Sequence, residues 1–359
     1  MFARLRSTTF LGVALLLVSC LRPSEHHERL DERVGMAEVE GLRIDSDGSL
    51  AIRSVTPQEI VLWAGTPRLR LSIEGITVPL RLRVMNTLPD SLLVAGGTLV
   101  ARENGRRRTE GLWTLDPSMS GEELIIESAD AELPIAHAVA VLSDIQEAVD
   151  NMADIVDRLN QDEIRYVVST GDLTNNGTRE EIIRFQLELE RLDVPFYSTV
   201  GNHETPGPEN WHEYFGPFSG FFTQHGVAVS LVDSSNATID PDLHARMLEF
   251  ANTNVETLHL FLTHTPLLDA SGFRSGAFRS RNEAARIIQE LSARRVDAIF
   301  FGHVHSYYAY SLGDVPTYIS GGGGAIQERL DGIERHYLRV NLVPDAESPI
   351  DGVTLIRVD

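Results

Sequence analysis

Hydrophobic and polar positions alternate with a period of two through the first third of the chain, and then the texture changes. In "RLRLSIEG" Leu69, Leu71 and Ile73 share one face, and in "PLRLRVMN" Leu80, Leu82 and Val84 do the same, with the intervening arginines facing water. Turn signals recur at Asp47-Gly48, Glu74-Gly75, Pro89-Asp90 and Asn104-Gly105. The pattern predicts a small antiparallel β-sandwich over residues 42–130. That segment holds no His, no Cys and no clustered acids, so it reads as a spacer or positioning domain.

From His137 the period lengthens. "HAVAVLSDI" reads as a buried strand and "QEAVDNMADIVDRLN" as a helix with Val149, Met152, Ile155, Val156 and Leu159 on its apolar side. "IRYVVSTGDL" is a second strand, "REEIIRFQLELERL" a second helix and "VPFYSTVGNHE" a third strand. Strands alternating with helices predict an α/β domain over 136–359. Its apolar strands end on polar residues with metal-ligand chemistry: Asp144, Asp172, Asn202 with His203, His264, and His303 with His305. A strand-ending Asp is often only a turn or helix cap, and a lone His is usually an ordinary polar residue. In α/β sheets, however, groups at the carboxyl ends of strands converge on one crevice, and five such endings in order point to a metal centre.

Composition narrows the chemistry. The 359 residues are 42% hydrophobic and 23% charged, as in a globular protein, and all 31 basic residues are arginine. The absence of lysine excludes Schiff-base catalysis and a lysine-based phosphate loop. "MFARLRSTTFLGVALLLVSC" sets Arg4 and Arg6 before a short apolar run that ends at Cys20, the sole cysteine. It resembles a bacterial lipoprotein signal with "LVSC" as lipobox. Residues 1–19 are then a signal peptide and Cys20 the lipidated first residue, attached to the membrane on the periplasmic side or at the cell surface. Residues 20–41 read as a flexible tether in which His26 and His27 are solvated. Cleavage removes Arg4 and Arg6 and no acid, leaving 29 basic residues against 52 acidic ones, a surface that does not suit nucleic acid. With the only thiol on lipid, a metal centre here uses no thiolate.

The motifs "DIQ", "GDLTN", "GNHE", "THTP" and "GHVH" resemble, in order, those of the calcineurin-like metallophosphoesterase superfamily, over roughly Ala136 to Val343. The resemblance implies a four-layer α/β/β/α sandwich and a centre of two divalent metal ions (Mn, Fe or Zn). Asp144, Gln146, Asp172 and His305 would serve one metal, and Asp172, Asn202, His264 and His303 the other, with Asp172 as the bridge. It further implies that His203 assists the leaving group. Hydrolysis of a phosphate ester needs a strong nucleophile and positive charge beside an anionic phosphoryl group, and two cations about 3.5–4 Å apart provide both.

Two positions depart from the family pattern. Gln146 stands where a histidine ligand is usual, and Asn175 where a second aspartate would orient His203. An amide oxygen can still bind a hard cation and Asn can still orient an imidazole. Other candidates are Arg274, Arg279 and Arg281 as a phosphate clamp or solvated loop charge, Gly321 to Gly324 as an anion cradle or a permissive loop, and His212, Tyr307 and Tyr308 at a pocket rim. The function expected is hydrolysis of phosphate esters, phosphomonoesters first. The alternatives are a phosphodiesterase, a nucleotide pyrophosphate hydrolase, or a scaffold lipoprotein whose metal site has decayed.

Overall fold

A computed structural model describes residues 27, 29–270, 272, 276–328 and 333–358. The signal peptide, Cys20, His26 and Arg274 lie outside these residues. Among the described residues no helix is long and apolar enough to cross a membrane.

The period-two segments form two sheets. The larger contains Leu69–Glu74 between Leu42–Ser46 and Glu123–Ser128, and the smaller orders Leu50–Val55, Glu59–Ala64, Leu80–Met85 and Glu110–Leu115. Leu69, Leu71, Ile73, Leu80, Leu82 and Val84 are all buried in one shared core around Trp113. The sandwich is not wholly antiparallel, because Glu59–Ala64 pairs in parallel with Leu80–Met85. Nor do all the alternate arginines face water. The Arg83 guanidinium is only partly exposed and bridges Glu59 and Glu110 at 2.9 and 2.6 Å.

The α/β region has the expected layers. One mixed sheet orders Phe196–Ser198, Val167–Ser169, His137–Leu142, His336–Leu342 and Ile350–Arg357. The other orders Gly220–Gln224, Val227–Val232, Leu258–Thr263, Ala298–Phe301, Val315–Ser320 and Tyr307–Leu312. The two pack face to face through Val139, Val141, Val168 and Val340 on one side and Val229, Leu260, Leu262 and Phe300 on the other, all without solvent exposure. Helices Met152–Gln161 and Arg179–Leu189 cover the first sheet. Pro241–Thr253 and Arg281–Ala293 cover the second. Thr178 and Glu181 form a reciprocal capping box that starts the second of these helices, one turn before its buried Ile182 and Phe185.

The β-sandwich is fastened to this body. Asn86 substitutes for a strand neighbour: its Oδ1 accepts from Phe196 N at 2.7 Å and its Nδ2 donates to Phe196 O at 2.8 Å. Arg53 donates to Gln186 Oε1 and Tyr214 O.

The largest departure concerns the expected tether. His27 is buried, its Nδ1 2.8 Å from Asp233 Oδ2 and its ring 4.3 Å from that of Phe218. Asp31 is bonded to His212 Nε2 at 2.7 Å and accepts from Phe218 N at 3.0 Å. His27 and Asp31 are four residues apart, the spacing that puts two side chains on one helical face, and both grip Phe218 from that face. A charge-rich stretch therefore docks as a strap because its polar side chains find buried partners, which polarity alone does not reveal.

Candidate metal centre

Short strands stop where the ligands begin. Val167–Ser169 gives way to the turn that carries Asp172, Phe196–Ser198 to that of Asn202 and His203, and Ala298–Phe301 to that of His303 and His305. Asp144, Gln146, Asp172 and His303 all have positive φ, between 48° and 68°. For side-chain-bearing residues that conformation costs about 1–2 kcal/mol each, and such strain clusters at functional sites. Two glycines are required by space. A Cβ on Gly201 would lie 2.1 Å from Asp172 Oδ1, and one on Gly302 would lie 2.2 Å from Ser143 Oγ and 2.6 Å from Asp144 Oδ2.

Two groups of ligand atoms lie within 4.8 Å of one another: Asp172, His264 and His303, and Asp144, Asp172 and His305. Asp172 is common to both. Asn202 Oδ1 lies 2.9 Å from His264 Nε2, which adds Asn202 to the first group. The imidazoles are aimed by backbone carbonyls: His264 Nδ1 donates to Thr170 O at 3.0 Å and His305 Nδ1 to Ile326 O at 2.7 Å, leaving each Nε2 turned inward. The described members of the expected set thus converge, and the donor types suit a divalent cation.

The electrostatics agree. Asp144 and Asp172 are 0% and 1% exposed, so neither charge is solvated by water. Burial alone would lower the pKa of His264, yet the Asp172 carboxylate outweighs it and holds the value at about 9. Burial likewise opposes protonation of His305, and Asp144 raises it to about 9. His303 is pushed down to about 4 by burial and then by the charge of His264. Burial works against the Asp172 charge as well, but His264 and His203 keep this carboxyl below the usual range. Two carboxylates that draw protons onto their neighbours are two carboxylates that favour a cation between them.

Gln146 and Asn175 occupy the expected places but act differently. The Gln146 amide nitrogen donates to Asp172 Oδ2 at 3.1 Å and lies 3.2 Å from His305 Nε2. The amide therefore presents nitrogen, not oxygen, to the bridging carboxylate. Asn175 orients His203 through its backbone carbonyl, which accepts from Nδ1 at 2.7 Å. This corrects the expectation of a side-chain role at position 175, since any residue supplies that carbonyl.

Several weaker candidates fall elsewhere. Arg279 is exposed and lines a cavity of about 840 Å³ with Asn236, His244 and Arg286, none of them a ligand of the centre. Arg281 is the exposed first residue of its helix. Gly321 N and Gly323 N donate to Ser306 O and Ser143 O, so this run packs against the metal loops and does not offer those N–H groups to an anion. His212 grips the strap, and Tyr307 packs against the ring of His336 at 6.1 Å. Tyr308 is half-buried in the core beneath the second sheet's helices.

Glu204 was not among the expected residues. It is fully buried and accepts from Asp172 N, Thr174 N and Gly201 N at 2.9–3.0 Å and from Thr174 Oγ1 at 2.9 Å. Burial and then the Asp172 charge raise its pKa to about 7. The signal was present in "GNHE", whose acid has no ligand role and so invites a structural one.

Residues 137–307 match the family model of the calcineurin-like phosphoesterases. Together with the layered fold and the shared Asp172, this makes the α/β region a member of the calcineurin-like metallophosphoesterase superfamily. A curated relative, a probable glycerophosphodiester phosphodiesterase GpdQ from Arcobacter nitrofigilis, is 27% identical over 160 residues. The match covers 39% of this chain and 56% of the relative, so it spans about half the relative's length. Among solved structures, a purple acid phosphatase from yellow lupin (Lupinus luteus) seeds superposes with a TM-score of 0.54 at 12% identity, over 82% of this chain and 72% of that one. PhoD superposes over 88% of both chains with a TM-score of 0.46 and 10% identity.

Proposed function

We propose that this protein is a metal-dependent hydrolase of phosphate esters, held to a membrane outside the cytoplasm through lipidated Cys20. The observation that carries the catalytic reading is the sharing of Asp172 between two ligand groups, one on each side of it. Two divalent cations there would supply a nucleophile at neutral pH and positive charge for the phosphoryl oxygens. Asp144, Asp172 and His305 would hold one, and Asp172, Asn202, His264 and His303 the other, with the Gln146 amide competing for Asp172 at the first. His203 is fixed by the Asn175 carbonyl, its side chain 32% exposed and its Nε2 3.9 Å from Asp172 Oδ2. From that position a protonated Nε2 faces the centre and can hand its proton to the departing alkoxide.

Phosphodiesters displace phosphomonoesters as the favoured substrates. The curated relative is a probable glycerophosphodiester phosphodiesterase, and Arg279 and Arg281, the described candidates for a phosphate clamp, are exposed as solvated loop charge would be. The test compares hydrolysis of bis-p-nitrophenyl phosphate and p-nitrophenyl phosphate by the soluble form, with Mn, Zn, Fe, Co and Mg added separately. Diester turnover several-fold above monoester turnover supports the reading. A protein that binds metal and hydrolyses neither ester under any metal is the scaffold alternative. Fractionation of Cys20→Ala tests the anchor independently, because loss from the membrane fraction is expected whatever the substrate.

A further inference from the structure

We propose that the metal-bearing edge of the α/β sandwich faces the membrane that holds Cys20, and that its substrates are phosphodiester headgroups in that bilayer. This inference rests on the anchored-hydrolase reading above and adds the direction the site points.

The argument starts from the strap. His27 is docked against Asp233, which directly follows the strand Val227–Val232. His264 directly follows Leu258–Thr263, and those two strands run parallel with Val232 opposite Thr263. Asp233 and His264 are therefore the next pair along, one strand apart. Thr265, beside His264, ties the two turns together by donating its N–H to Ser234 Oγ at 2.8 Å. The strap thus ends at the carboxyl edge of the second sheet, the same edge that presents the metal ligands.

Cys20 lies only seven positions before His27. Fully extended, that stretch spans at most about 25 Å. A globular chain of this length has a radius of gyration of about 20 Å and is about 50 Å across. The leash is about half the width of the body. Turning the opposite edge to the bilayer would carry the strap farther from the lipid than the leash allows. Exposed apolar side chains stand at both edges, Ile326 (77%) and Leu268 (42%) at the metal edge and Leu133 (55%) and Ile135 (37%) at the other, so the leash sets the direction and the apolar surface at the metal edge is compatible with it. Such side chains suit the interfacial zone of a bilayer, beside a phosphodiester that bears one charge and an apolar alcohol. With 52 acidic residues against 29 basic in the mature chain, a zwitterionic bilayer is the compatible surface.

The reaction balances simply. The oxygen of water bonds to phosphorus, one P–O ester bond breaks, and the departing alkoxide takes up a proton, leaving a phosphate monoester and an alcohol.

The experiment uses the full-length lipidated protein in phosphatidylcholine vesicles. Because Cys20 carries the lipid and is the sole cysteine, Ile326→Cys and Leu133→Cys each give one labelling position. Leu133 is 55% exposed at the opposite edge, two residues before Ile135, whose N–H donates to the carbonyl of His225 in the turn after Gly220–Gln224. A headgroup spin-labelled lipid should quench a fluorophore at position 326 several-fold more than one at 133. A flexible insertion of about 30 Gly/Ser residues after Arg22, which raises the root-mean-square leash length to about 33 Å, should equalise the two probes. It should also lower hydrolysis of vesicle-borne phosphatidyl-p-nitrophenol several-fold and leave bis-p-nitrophenyl phosphate unaffected. Equal or reversed quenching in a vesicle-bound protein overturns the orientation and leaves the anchor standing. Retained orientation without cleavage of the vesicle ester overturns the substrate class. A chain that carries no lipid overturns both, through the anchor itself.

Discussion

Replacing Gln146 with histidine should tighten the weaker of the two metal positions by about tenfold or more. In the structure the Gln146 amide donates to Asp172 Oδ2 at 3.1 Å, and a hydrogen bond to a charged acceptor contributes about 1.5–3 kcal/mol. A cation entering between Asp144, Asp172 and His305 must break that bond, so the wild-type site is weakened by about ten- to a hundredfold relative to one without the competing donor. Gln146→His removes the donor and supplies an imidazole, and Gln146→Ala removes the donor alone. Competitive titration of Mn against a chromogenic chelator gives both affinities, with one pH held for every variant because binding displaces the protons that Asp172 and Asp144 draw onto His264 and His305. Metal counting after chelator-free dialysis gives occupancy: fewer than two equivalents in wild type and close to two in Gln146→His. Tightening in both variants assigns the effect to the competing hydrogen bond, and tightening in histidine alone assigns it to the missing ligand. Two retained equivalents in wild type, or unchanged Mn affinity in Gln146→His, would refute the reasoning.

Asp172→Asn should abolish turnover and empty both positions, whereas His203→Ala should abolish turnover with most metal retained; equal metal loss by elemental analysis contradicts the division of roles. Asn175→Ala should keep turnover within about threefold of wild type, because the carbonyl that bonds His203 Nδ1 is untouched, and a hundredfold loss would restore a side-chain role. Burial holds the pKa of His259 down at about 4 against an ordinary 6.5, so the unfolded chain takes up a proton first as pH falls. That stability is present above pH 6.5 and lost as pH falls toward 4. Wild type should lose about 2 kcal/mol more than His259→Gln between pH 7.5 and 5 in urea unfolding, and parallel losses would count against it.

The sequence made some of this visible because period and ligand order are local signals. Leu69, Leu71 and Ile73 announce a half-buried strand by alternation alone, and the ligands announce a centre because each follows an apolar strand. Other features depend on partners far away in the chain. His27 meets Asp233, 206 positions distant, and nothing near His27 distinguishes a docked histidine from a solvated one. The parallel pairing of Glu59–Ala64 with Leu80–Met85 likewise depends on how the chain crosses between sheets, since parallel and antiparallel strands can show the same alternation. Asn175 is illegible for a different reason: a motif compares side chains, and the group that bonds His203 belongs to the backbone.

The same contrast explains why Glu204 belongs to the centre as much as any ligand. Asp144, Gln146, Asp172 and His303 stand in left-handed backbone at about 1–2 kcal/mol each, a sum comparable to the net stability of a whole domain. Something must hold those turns against relaxation when no cation does. The packed sheets hold the strand ends, but the turn of Asp172 and the turn of Asn202 meet only beyond the strands. There Glu204 accepts from the N–H groups of Asp172, Thr174 and Gly201 at once, joining the two turns through one buried carboxylate. Each of those donors left without a partner would cost about 1–3 kcal/mol, the scale of the strain itself. The close approach of Gly201 to Asp172 is possible only because no Cβ intervenes, so the glycine and the glutamate of "GNHE" solve one problem together: they bring two strained turns close enough for Asp172 and Asn202 to address the same point.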